Sequence, residues 1–480
     1  MSTVFQPITT TASAQLPHVH TVPQTVTLLF TAILVGLVLC LAFEEKIHAK
    51  KSIIAGVFAI ISLLLGTIFG VLPFGPDSAS KGGAVITNAF HETIYQPVFI
   101  QGIDWGVIGI IFGASLFVDV TSKSGIFTWI ALKLTKRSGG DPLKLLWAYG
   151  LMTIIFSAVL NNVTAMIIVG SLSVVSLDRL GRRELLLGFL LVEGLLTNVG
   201  GLLTLISSVP NIIVGTAAGI SFGQFFVIAA PFVLLATVVT IWMGARKFKI
   251  EGLTTDQERQ DGQALVATFN ENERIESIGF FRFGAVMTIL FILVIATCSM
   301  IPGLNQLGMA FVALSFAGIM LIRFKAEVGE FYKQIDWDLL GFFACLFVVI
   351  NVMEHAKVLA LIGEGVTPII NLGQTVGSGA LLVAASGFSS VTDNIPLAAM
   401  LAKILSGQAL ASDSGMWWSV IFGANLGGNL TPIGSASTLV AMTLIHKEKL
   451  ELSFTGFIKL ALPFALVQLL LAVIYVSFCL

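Results

Sequence analysis

Two similar stretches decide the fold, and each has Ile-Asp-Trp followed by an apolar run: residues 102–118, GIDWGVIGIIFGASLFV, and residues 334–349, QIDWDLLGFFACLFVV. Asp104 and Asp336 lie 232 positions apart, and the same offset places Asn161-Asn162 over Asp393-Asn394. A gapless offset of 227 then places residues 197–211, TNVGGLLTLISSVPN, over residues 424–438, ANLGGNLTPIGSAST. Three motifs in the same order at nearly constant spacing indicate an internal duplication.

Composition defines the class of protein. The chain has 480 residues, of which 56% are hydrophobic and 11% charged, and its mean hydropathy is +0.95. Repeated apolar runs of roughly 18 to 24 residues match the thickness of a bilayer core, so the sequence predicts a polytopic membrane protein. The four cysteines have no metal-binding spacing and are expected to pack in the core. A net charge of −1 gives no indication of a nucleic-acid partner.

Ten membrane spans are predicted from the apolar runs. They lie at 27–43, 52–73, 103–122, 184–220, 224–243, 279–300, 306–322, 335–353, 416–445 and 453–480. Two further apolar regions, 144–177 and 376–408, are too long for one span and too short for two. Each has a polar break in its middle, so both are predicted to be re-entrant hairpins. The spans at 184–220 and 416–445 contain the Gly-Gly motifs and are predicted to be broken helices.

The predicted organisation has four parts. Residues 1–26 form an external N-terminal tail rather than a cleaved signal peptide, 27–243 the first repeat, 244–278 a polar, unpatterned cytoplasmic linker, and 279–480 the second repeat. With both termini outside, all of the 26 basic residues except Lys81, Lys357 and Lys403 fall in or beside cytoplasmic loops.

Each half contributes five spans, an odd number, so the two halves enter the membrane from opposite sides. The predicted fold is an all-α polytopic membrane protein with two inverted repeats of five transmembrane helices, each with a re-entrant hairpin and a broken helix. Secondary transporters have this architecture, and they expose one central site alternately to each side of the membrane. A structural duplication without transport is the alternative.

The four helix interruptions are candidate ion sites, because unwound carbonyls can bind a cation and half-helix N-termini can bind an anion. Asn162 and Ser208 are placed as N-caps, and Pro210 lies in the first turn that follows. Neutral oxygens that suit Na⁺ come from the breaks of both halves, where Asn198 pairs with Asn425. The break candidates are Asn198, Thr204, Ser207, Ser208, Asn211, Asn425, Asn429, Thr431, Ser435, Ser437 and Thr438. Close helix packing is the alternative role for small polar residues.

Acidic residues at membrane depth are by default functional. Asp393 is the first candidate for proton coupling, and Glu193, five residues before Asn198, is the second. Glu193 could instead pair with a neighbouring helix, and Asp119 is expected at the interface. Lys403 is the single basic residue near a break in the sequence, which favours a cation or proton site over a site for a multiply charged carboxylate.

With these motifs the chain resembles the ion transporter superfamily, in the branch with arsenite-pump membrane subunits, NhaD-type Na⁺/H⁺ antiporters and citrate-transporter-like permeases. Three places carry the likeness: FEEKIHAKKS at 43–52, TNVGGLLTLISSVPNIIVG at 197–215, and VTDNIPLAAM together with GANLGGNLTPIGSASTLVAM in the second half. The resemblance implies a dimer in which the hairpin domain moves like an elevator. By position it assigns Asn161, Asn162 and Thr164 to one tip, and Asp393 and Asn394 to the other.

Two departures from the family pattern bear on the substrate. Neither tip has the Ser-Asn-Thr triplet of dicarboxylate carriers, and the first break reads SSVPN where many permeases have Asp-Pro-Pro-Asn. The leading hypothesis is therefore a Na⁺/H⁺ antiporter, not an enzyme. The alternative is a Na⁺- or H⁺-coupled permease for arsenite, citrate or another oxyanion or carboxylate.

The expected partners are membrane lipid, a second copy of the chain and a small ion, with no nucleic acid and no cofactor beyond Na⁺ as a transported or coupling ion. A channel subunit driven by a partner ATPase is a third possibility, since the sequence has no GxxxxGK[ST] motif of its own. The expected location is a bacterial inner membrane.

Overall fold

The computed structural model describes residues 22–72, 83–87, 93–160, 162–272, 275, 277–324, 328–392, 394–408 and 410–480. Two candidate ion ligands, Asn161 and Asp393, lie outside the described residues, as does most of the predicted N-terminal tail. Helices account for nearly all of the rest, as the predicted fold class requires.

The first half contains eleven helices and one short β-hairpin. These elements are α1 (Gln24–Ala42), α2 (Glu44–Ile47), α3 (Lys51–Ile68), β1 (Gly83–Thr87), β2 (Thr93–Pro97), α4 (Val98–Gln101), α5 (Trp105–Lys123), α6 (Ile126–Ser138), α7 (Pro142–Val159), α8 (Asn162–Arg179), α9 (Leu186–Gly200), α10 (Val209–Ala218) and α11 (Phe222–Lys247). A 3₁₀ turn at Arg183–Leu185 precedes α9. The two strands pair antiparallel between α3 and α4, which is a small departure from the all-α prediction.

The linker contributes one helix, and the second half follows with a similar succession of helices. Their helices are α12 (Asp256–Ala267), α13 (Ile278–Thr297), α14 (Leu304–Arg323), α15 (Val328–Gln334), α16 (Trp337–His355), α17 (Val358–Ile370), α18 (Gly373–Ser389), α19 (Asn394–Ser406), α20 (Gly415–Gly427), α21 (Ala436–Lys447) and α22 (Phe454–Phe478). A 3₁₀ turn at Cys298–Met300 follows α13.

Equivalent helices of the two halves begin in the same way, which supports the duplication predicted from the sequence. Asp104 caps α5 by accepting a hydrogen bond from the backbone N–H of Val107 at 3.0 Å, and Asp336 caps α16 through Leu339 at 2.9 Å. A side-chain oxygen at the N-cap satisfies one of the N–H groups that the first helical turn leaves unpaired. The offset of 232 therefore relates local structure as well as residue type.

The inverted relation between the halves is visible in the helix pairs. In the first half α5 packs along α14 of the second, and α16 of the second half packs along α3 of the first. Gly113 lies so close to Ala313 that a Cβ added to it would approach the Ala313 carbonyl carbon to 2.6 Å. Small residues allow this close helix contact inside a membrane. Of the ten long apolar helices, α1, α3, α13 and α14 are the least buried.

Ten helices among the described residues are long and apolar enough to cross a membrane, but they are not the ten predicted spans. Both helices of the first hairpin, α7 and α8, reach 18 residues and are among the ten. The predicted spans 184–220 and 416–445 are each divided into helices of 10 to 15 residues. The Gly-Gly breaks cause this division, because residues 201–208 and 428–435 leave the helical path.

The predicted linker is more ordered than its unpatterned sequence indicated. Thr255 and Glu258 form a capping box at the start of α12. The linker also docks on the first half: the backbone N–H of Leu253 donates to Asp141 at 3.2 Å, and Lys136 on α6 pairs with Glu271. The Lys136 ammonium lowers the pKa of the Glu271 carboxyl. Local capping and tertiary contacts, rather than apolar periodicity, define this segment.

Candidate functional site

The two broken helices lie at the centre of the bundle. All 13 residues of α20 are buried, and α9 is buried along all but one position, Leu187. An apolar helix buried on every side belongs to the core of a large protein or a membrane bundle. Each of these helices ends in an asparagine followed by glycines, at Asn198 and at Asn425.

Each terminal asparagine reaches across to the break of the other half. The amide nitrogen of Asn198 donates to Asn429 at 2.8 Å and to the Ser435 hydroxyl at 2.9 Å. In the opposite direction the Ser208 hydroxyl donates to the Asn425 oxygen at 2.7 Å. We name these two sets of contacts the Asn198 crossing and the Asn425 crossing. They join residues more than 210 positions apart, so the breaks of both halves form one site.

Hydrogen bonds to its own carbonyls hold each break in shape. Asn211 donates to the carbonyl oxygens of Gly201 at 2.6 Å and Thr204 at 2.9 Å, and Thr438, its counterpart in the second half, donates to Pro432 at 3.0 Å. Irregular backbone inside a membrane protein needs such internal partners. These contacts give the predicted candidates Asn211 and Thr438 a structural role at the break.

Of the two predicted N-caps, Ser208 is confirmed in position and Asn162 is not. Ser208 occupies the N-cap position of α10, and Pro210 lies in the first turn, as predicted. The Ser208 hydroxyl makes no capping bond and donates to the Asn425 oxygen. Asn162 is instead the first residue of α8. Ser435, which was not predicted as a cap, caps α21, since its hydroxyl accepts from the backbone N–H of Thr438 at 3.2 Å.

The hairpin tips are joined to the breaks by equivalent bonds in the two halves. The Thr204 hydroxyl donates to the Ala158 carbonyl at 2.6 Å, and the Thr431 hydroxyl donates to the Ser390 carbonyl at 2.5 Å. Ser157 and Ser389 make a second equivalent pair of bonds, each at 2.6 Å, to the last turns of α9 and α20. Tip and break therefore form one junction in each half.

The first junction is closed by its own side chains. The Asn162 oxygen accepts from the Ser157 hydroxyl at 2.6 Å, and its amide nitrogen lies 3.4 Å from the Asn198 oxygen. Gly201 passes so near that an added Cβ would approach the Asn162 amide to 2.7 Å. A glycine is therefore needed at 201 for Asn162 to pack on the break.

The second junction opens into a cavity of about 930 Å³. From the tip the cavity is lined by Val391, Thr392, Asn394 and Ile395, and from the break by Ile433, Gly434, Ser435 and Ala436. Asp393 itself is outside the described residues, but both of its neighbours in the chain line this cavity. The side-chain amide of Asn394 makes no hydrogen bond with the part of the chain that the structure describes. Its oxygen is available to a ligand in the cavity.

The loop between α1 and α3 forms the far wall of the same cavity, which sequence reasoning missed. Lys46, His48, Lys50 and Lys51 line it together with Glu44, Asp336 and Asp338. The expectation that no basic residue other than Lys403 approaches a break is therefore wrong, because residues distant in sequence supply the charges. Lys403 pairs with Glu354 at 3.0 Å and lines neither cavity wall. The resemblance of residues 43–52 to family members was the one available signal.

Glu193 is fully buried in α9, where the Ser173 hydroxyl of α8 donates to one of its carboxyl oxygens. The other carboxyl oxygen has no hydrogen-bond partner among the described residues. Ser176, one turn along α8, bonds the Tyr149 hydroxyl, which also bonds Thr135 on α6 at 2.6 Å. The contact with a neighbouring helix that the sequence left open is present.

Two of the remaining predicted candidates, Ser437 and Ser207, lie at the breaks, and the third, Thr164, lies in the first hairpin. Ser437 donates to the Asn198 oxygen at 3.2 Å, and Ser207 donates to the Gly201 carbonyl at 2.6 Å. Thr164 lies in the first turns of α8. Sequence reasoning missed Gln468, a buried residue of α22 that bonds Asn429 at 2.8 Å.

Two inverted halves, each with a broken helix and a hairpin whose tip meets the break, define the class of secondary transporters. The family follows from comparison with known proteins. The family model described as "Citrate transporter" matches residues 38–423, and the chain belongs to this family. It is an integral membrane transporter.

Several curated relatives span most of the chain. An uncharacterized transporter of Mycobacterium tuberculosis is 30% identical over 382 residues, which cover 78% of this chain and 86% of the relative. The 46 kDa membrane protein of Mycobacterium leprae is 29% identical over 407 residues, covering 83% and 92%. The human P protein is 22% identical over 514 residues, covering 90% of this chain and 60% of its own length.

Solved structures share the fold. The YdaH transporter of Alcanivorax borkumensis matches with a TM-score of 0.56 at 13% identity, covering 89% of this chain and 98% of that chain. Neisseria gonorrhoeae MtrF, described as an antimetabolite efflux pump, matches with a TM-score of 0.57 at 14% identity, covering 89% and 94%. At this identity the likeness concerns the fold alone.

Proposed function

We propose that this transporter exchanges Na⁺ for H⁺ at the second tip, with Asp393 as the group that carries the proton. The observation behind the proposal is the cavity, which reaches Thr392 and Asn394 on either side of Asp393 in the chain. A carboxyl group at membrane depth needs such a water-filled route to exchange its proton with one side.

Neutral oxygens beside that position suit a small hard cation. The Thr392 hydroxyl donates to the Phe388 carbonyl at 2.8 Å, so its lone pairs remain to accept a cation. The Asn394 amide oxygen and the Ser435 hydroxyl line the same cavity. Na⁺ bound by these oxygens replaces the proton of Asp393, so one charge leaves the site as the other enters. Glu193 is proposed as a second proton-coupling group, in the first half.

We further propose an elevator movement in a homodimer. The two junctions are cross-linked by the Asn198 and Asn425 crossings, which favours movement of hairpins and broken helices as one body. Helices α6 and α17 connect that body to α5 and α16, and both begin at a residue with positive φ, Gly125 at 80° and Lys357 at 63°. With the predicted orientation, the cavity and its lysine-rich wall face the cytoplasm of a bacterial cell.

The decisive experiment measures Na⁺-dependent proton flux in everted membrane vesicles. Asp393→Asn keeps the size of the side chain and removes its proton exchange, so flux is expected to fall to the level of empty vesicles. Asp413→Asn, which changes an exposed loop acid, is the matched control and is expected to retain wild-type flux. Normal Na⁺-dependent flux in Asp393→Asn would contradict the proposal.

A second candidate function is Na⁺- or H⁺-coupled uptake of citrate, arsenite or a related anion. Two observations favour it: the description of the family whose model matches the chain, and the lysines in the cavity wall. Radiolabelled citrate and arsenite uptake into proteoliposomes, with and without a Na⁺ gradient, separates the candidates. Anion uptake that collapses without the gradient, together with no Na⁺/H⁺ exchange, would replace the first proposal by the second.

A further inference from the structure

A chain of buried hydrogen bonds leaves the Asn198 crossing toward the side of the bundle. The Asn429 amide nitrogen donates to the Gln468 oxygen at 2.8 Å, and the Gln468 nitrogen donates to the Thr240 hydroxyl at 2.9 Å. Gln468 on α22 and Thr240 on α11 are each 1% exposed. Burial of polar groups costs free energy unless they are hydrogen-bonded, so these three side chains depend on one another as a network.

Backbone carbonyls fix which way each amide in this chain points. The Leu195 carbonyl can only accept, so the Asn429 nitrogen, 3.1 Å away, must face it. The Asn429 oxygen then faces Asn198, which presents its own nitrogen there. The Asn198 oxygen is left pointing toward Ser437 at 3.2 Å and Asn162 at 3.4 Å.

The Asn425 crossing has the opposite polarity. The Asn425 nitrogen donates to the Ile421 carbonyl at 2.8 Å and to the Asn211 oxygen at 2.9 Å, so the Asn425 oxygen faces Ser208 and accepts a hydrogen bond from its hydroxyl. At the Asn425 crossing Ser208 is therefore the donor, whereas at the Asn198 crossing Ser435 accepts from the Asn198 amide.

The repeat explains where this difference comes from. The offset of 227 places Leu202 under Asn429, and the offset of 232 places Ala236 under Gln468. One half thus has two amides in contact, and the other half has two apolar residues at the same positions. The amide pair is therefore a feature of the second half and not of the duplicated pattern.

We propose that Gln468 is a positioning residue for ion transport. Through Asn429 it holds the Asn198 nitrogen on the hydroxyl oxygen of Ser435, which lines the cavity of the second junction. Without Gln468 the Asn429 nitrogen keeps only its bond to the Leu195 carbonyl at 3.1 Å, so the Asn429 and Asn198 amides are held less firmly. The Ser435 oxygen then loses its fixed position in the cavity wall, and Na⁺ binds more weakly.

The test measures the half-saturating Na⁺ concentration for flux, the maximal flux and the thermal midpoint of the purified protein. Gln468→Leu is expected to raise the half-saturating concentration about tenfold with maximal flux within about threefold, which is a KM effect. Asn429→Leu combined with Gln468→Ala installs the pair of the first half. It is expected to give the same rise as Gln468→Leu alone, because the two amides act together.

Two neighbouring threonines of α11 provide a matched control. Thr240→Val removes the acceptor of the Gln468 nitrogen and is expected to raise the half-saturating concentration about threefold. Thr237→Val removes an equally buried hydroxyl whose bond stays within its own helix, to the Val233 carbonyl at 2.6 Å, and is expected to change nothing in transport.

A lower thermal midpoint for Gln468→Leu with wild-type Na⁺ dependence would show a structural role and overturn the inference. The inference rests on the proposed Na⁺ function, and the two fail differently. If the proposed Na⁺ function is wrong, the wild type shows neither Na⁺-driven flux nor Na⁺-dependent stabilisation of the purified protein. That result overturns the proposed function and the inference together. Failure of the inference alone appears only in the variants.

Discussion

The first and second junctions are built from the same bonds and end in different environments. In both, a threonine of the break donates to a carbonyl of the tip, and a serine of the tip donates to the end of the broken helix. At the first junction Asn162 is engaged by Ser157 and Asn198. At the second junction Asn394 faces a cavity of about 930 Å³.

This difference separates what the duplication provides from what transport requires. The shared bonds satisfy backbone carbonyls that would otherwise be unpaired inside a membrane, which both halves need for folding. The acid at 393 and the amide pair Asn429–Gln468 belong to the second half, and the first half has Asn161, Leu202 and Ala236 at the equivalent positions. Functional asymmetry is thus carried by side chains on a symmetric backbone.

The most direct test of the difference between the two junctions replaces each tip asparagine by alanine in turn. Asn394→Ala is expected to raise the half-saturating Na⁺ concentration at least tenfold, equivalent to about 1.4 kcal/mol, with an unchanged thermal midpoint. Asn162→Ala removes one of the two hydrogen bonds of the Ser157 hydroxyl and one of the two of the Asn198 oxygen, and is expected to destabilise the fold by about 1–3 kcal/mol. Flux titrations and thermal unfolding of both purified variants provide the check.

Asn394→Asp serves as the conservative control, since it keeps an oxygen acceptor toward the cavity and should retain Na⁺ dependence. If Asn162→Ala weakened Na⁺ binding and Asn394→Ala only lowered stability, the roles of the two junctions would be reversed.

A second test concerns the buried acid of the first half. Glu193 has no acidic counterpart, because the offset of 227 places it over Val420. Glu193→Gln preserves the shape and the bond from Ser173, and is expected to lower proton-coupled flux about fivefold, or about 1 kcal/mol, with little change in yield. Ser173→Ala, which removes only the hydroxyl, should have a smaller effect. Unchanged flux and pH profile in Glu193→Gln would leave Glu193 with a packing role.

The sequence predicts the fold better than the site. Internal repetition places Asn198 opposite Asn425 and both tips at the breaks without any knowledge of packing. It does not predict that Asn429 turns the Asn198 amide, because amide orientation depends on contacts with Leu195 and Gln468 from other helices. A closer comparison of the repeats has a usable signal, since Asn429 and Gln468 replace Leu202 and Ala236 together.

The charged loop at 43–51 is the second feature that lay beyond sequence reasoning. Its residues precede the second junction by more than 330 positions, and the packing of α3 against α16 helps to bring them to one cavity. Ser52 at the start of α3 is also hydrogen-bonded to Asp338 of α16. Contacts between inverted halves are set by the three-dimensional crossing of helices, which local patterns do not encode.

A smaller effect tests the bonds that the junctions share. Thr204→Val and Thr431→Val each remove one hydroxyl that donates to a tip carbonyl, and each is expected to lower stability by about 1 kcal/mol. Equal losses would confirm that the two junctions are held alike. A loss at Thr204 alone would mean that the second tip does not depend on its bond to the break, and thermal unfolding of the two variants side by side distinguishes these results.

The smallest expected effect concerns the lysine-rich wall of the cavity at the second junction. Lys46 and Lys50 line it, and their charges repel an entering cation and attract an anion through solvent, which salt screens. If Na⁺ is the transported ion, Lys46→Gln with Lys50→Gln should lower the half-saturating Na⁺ concentration by about twofold at low ionic strength, with the difference lost near 0.15 M salt. Lys249→Gln, which changes a residue lining a separate pocket, should change neither value. A rise in the half-saturating concentration for citrate in the same double variant would instead assign the lysines to anion entry, because removal of positive charge weakens the attraction of an anion to the cavity.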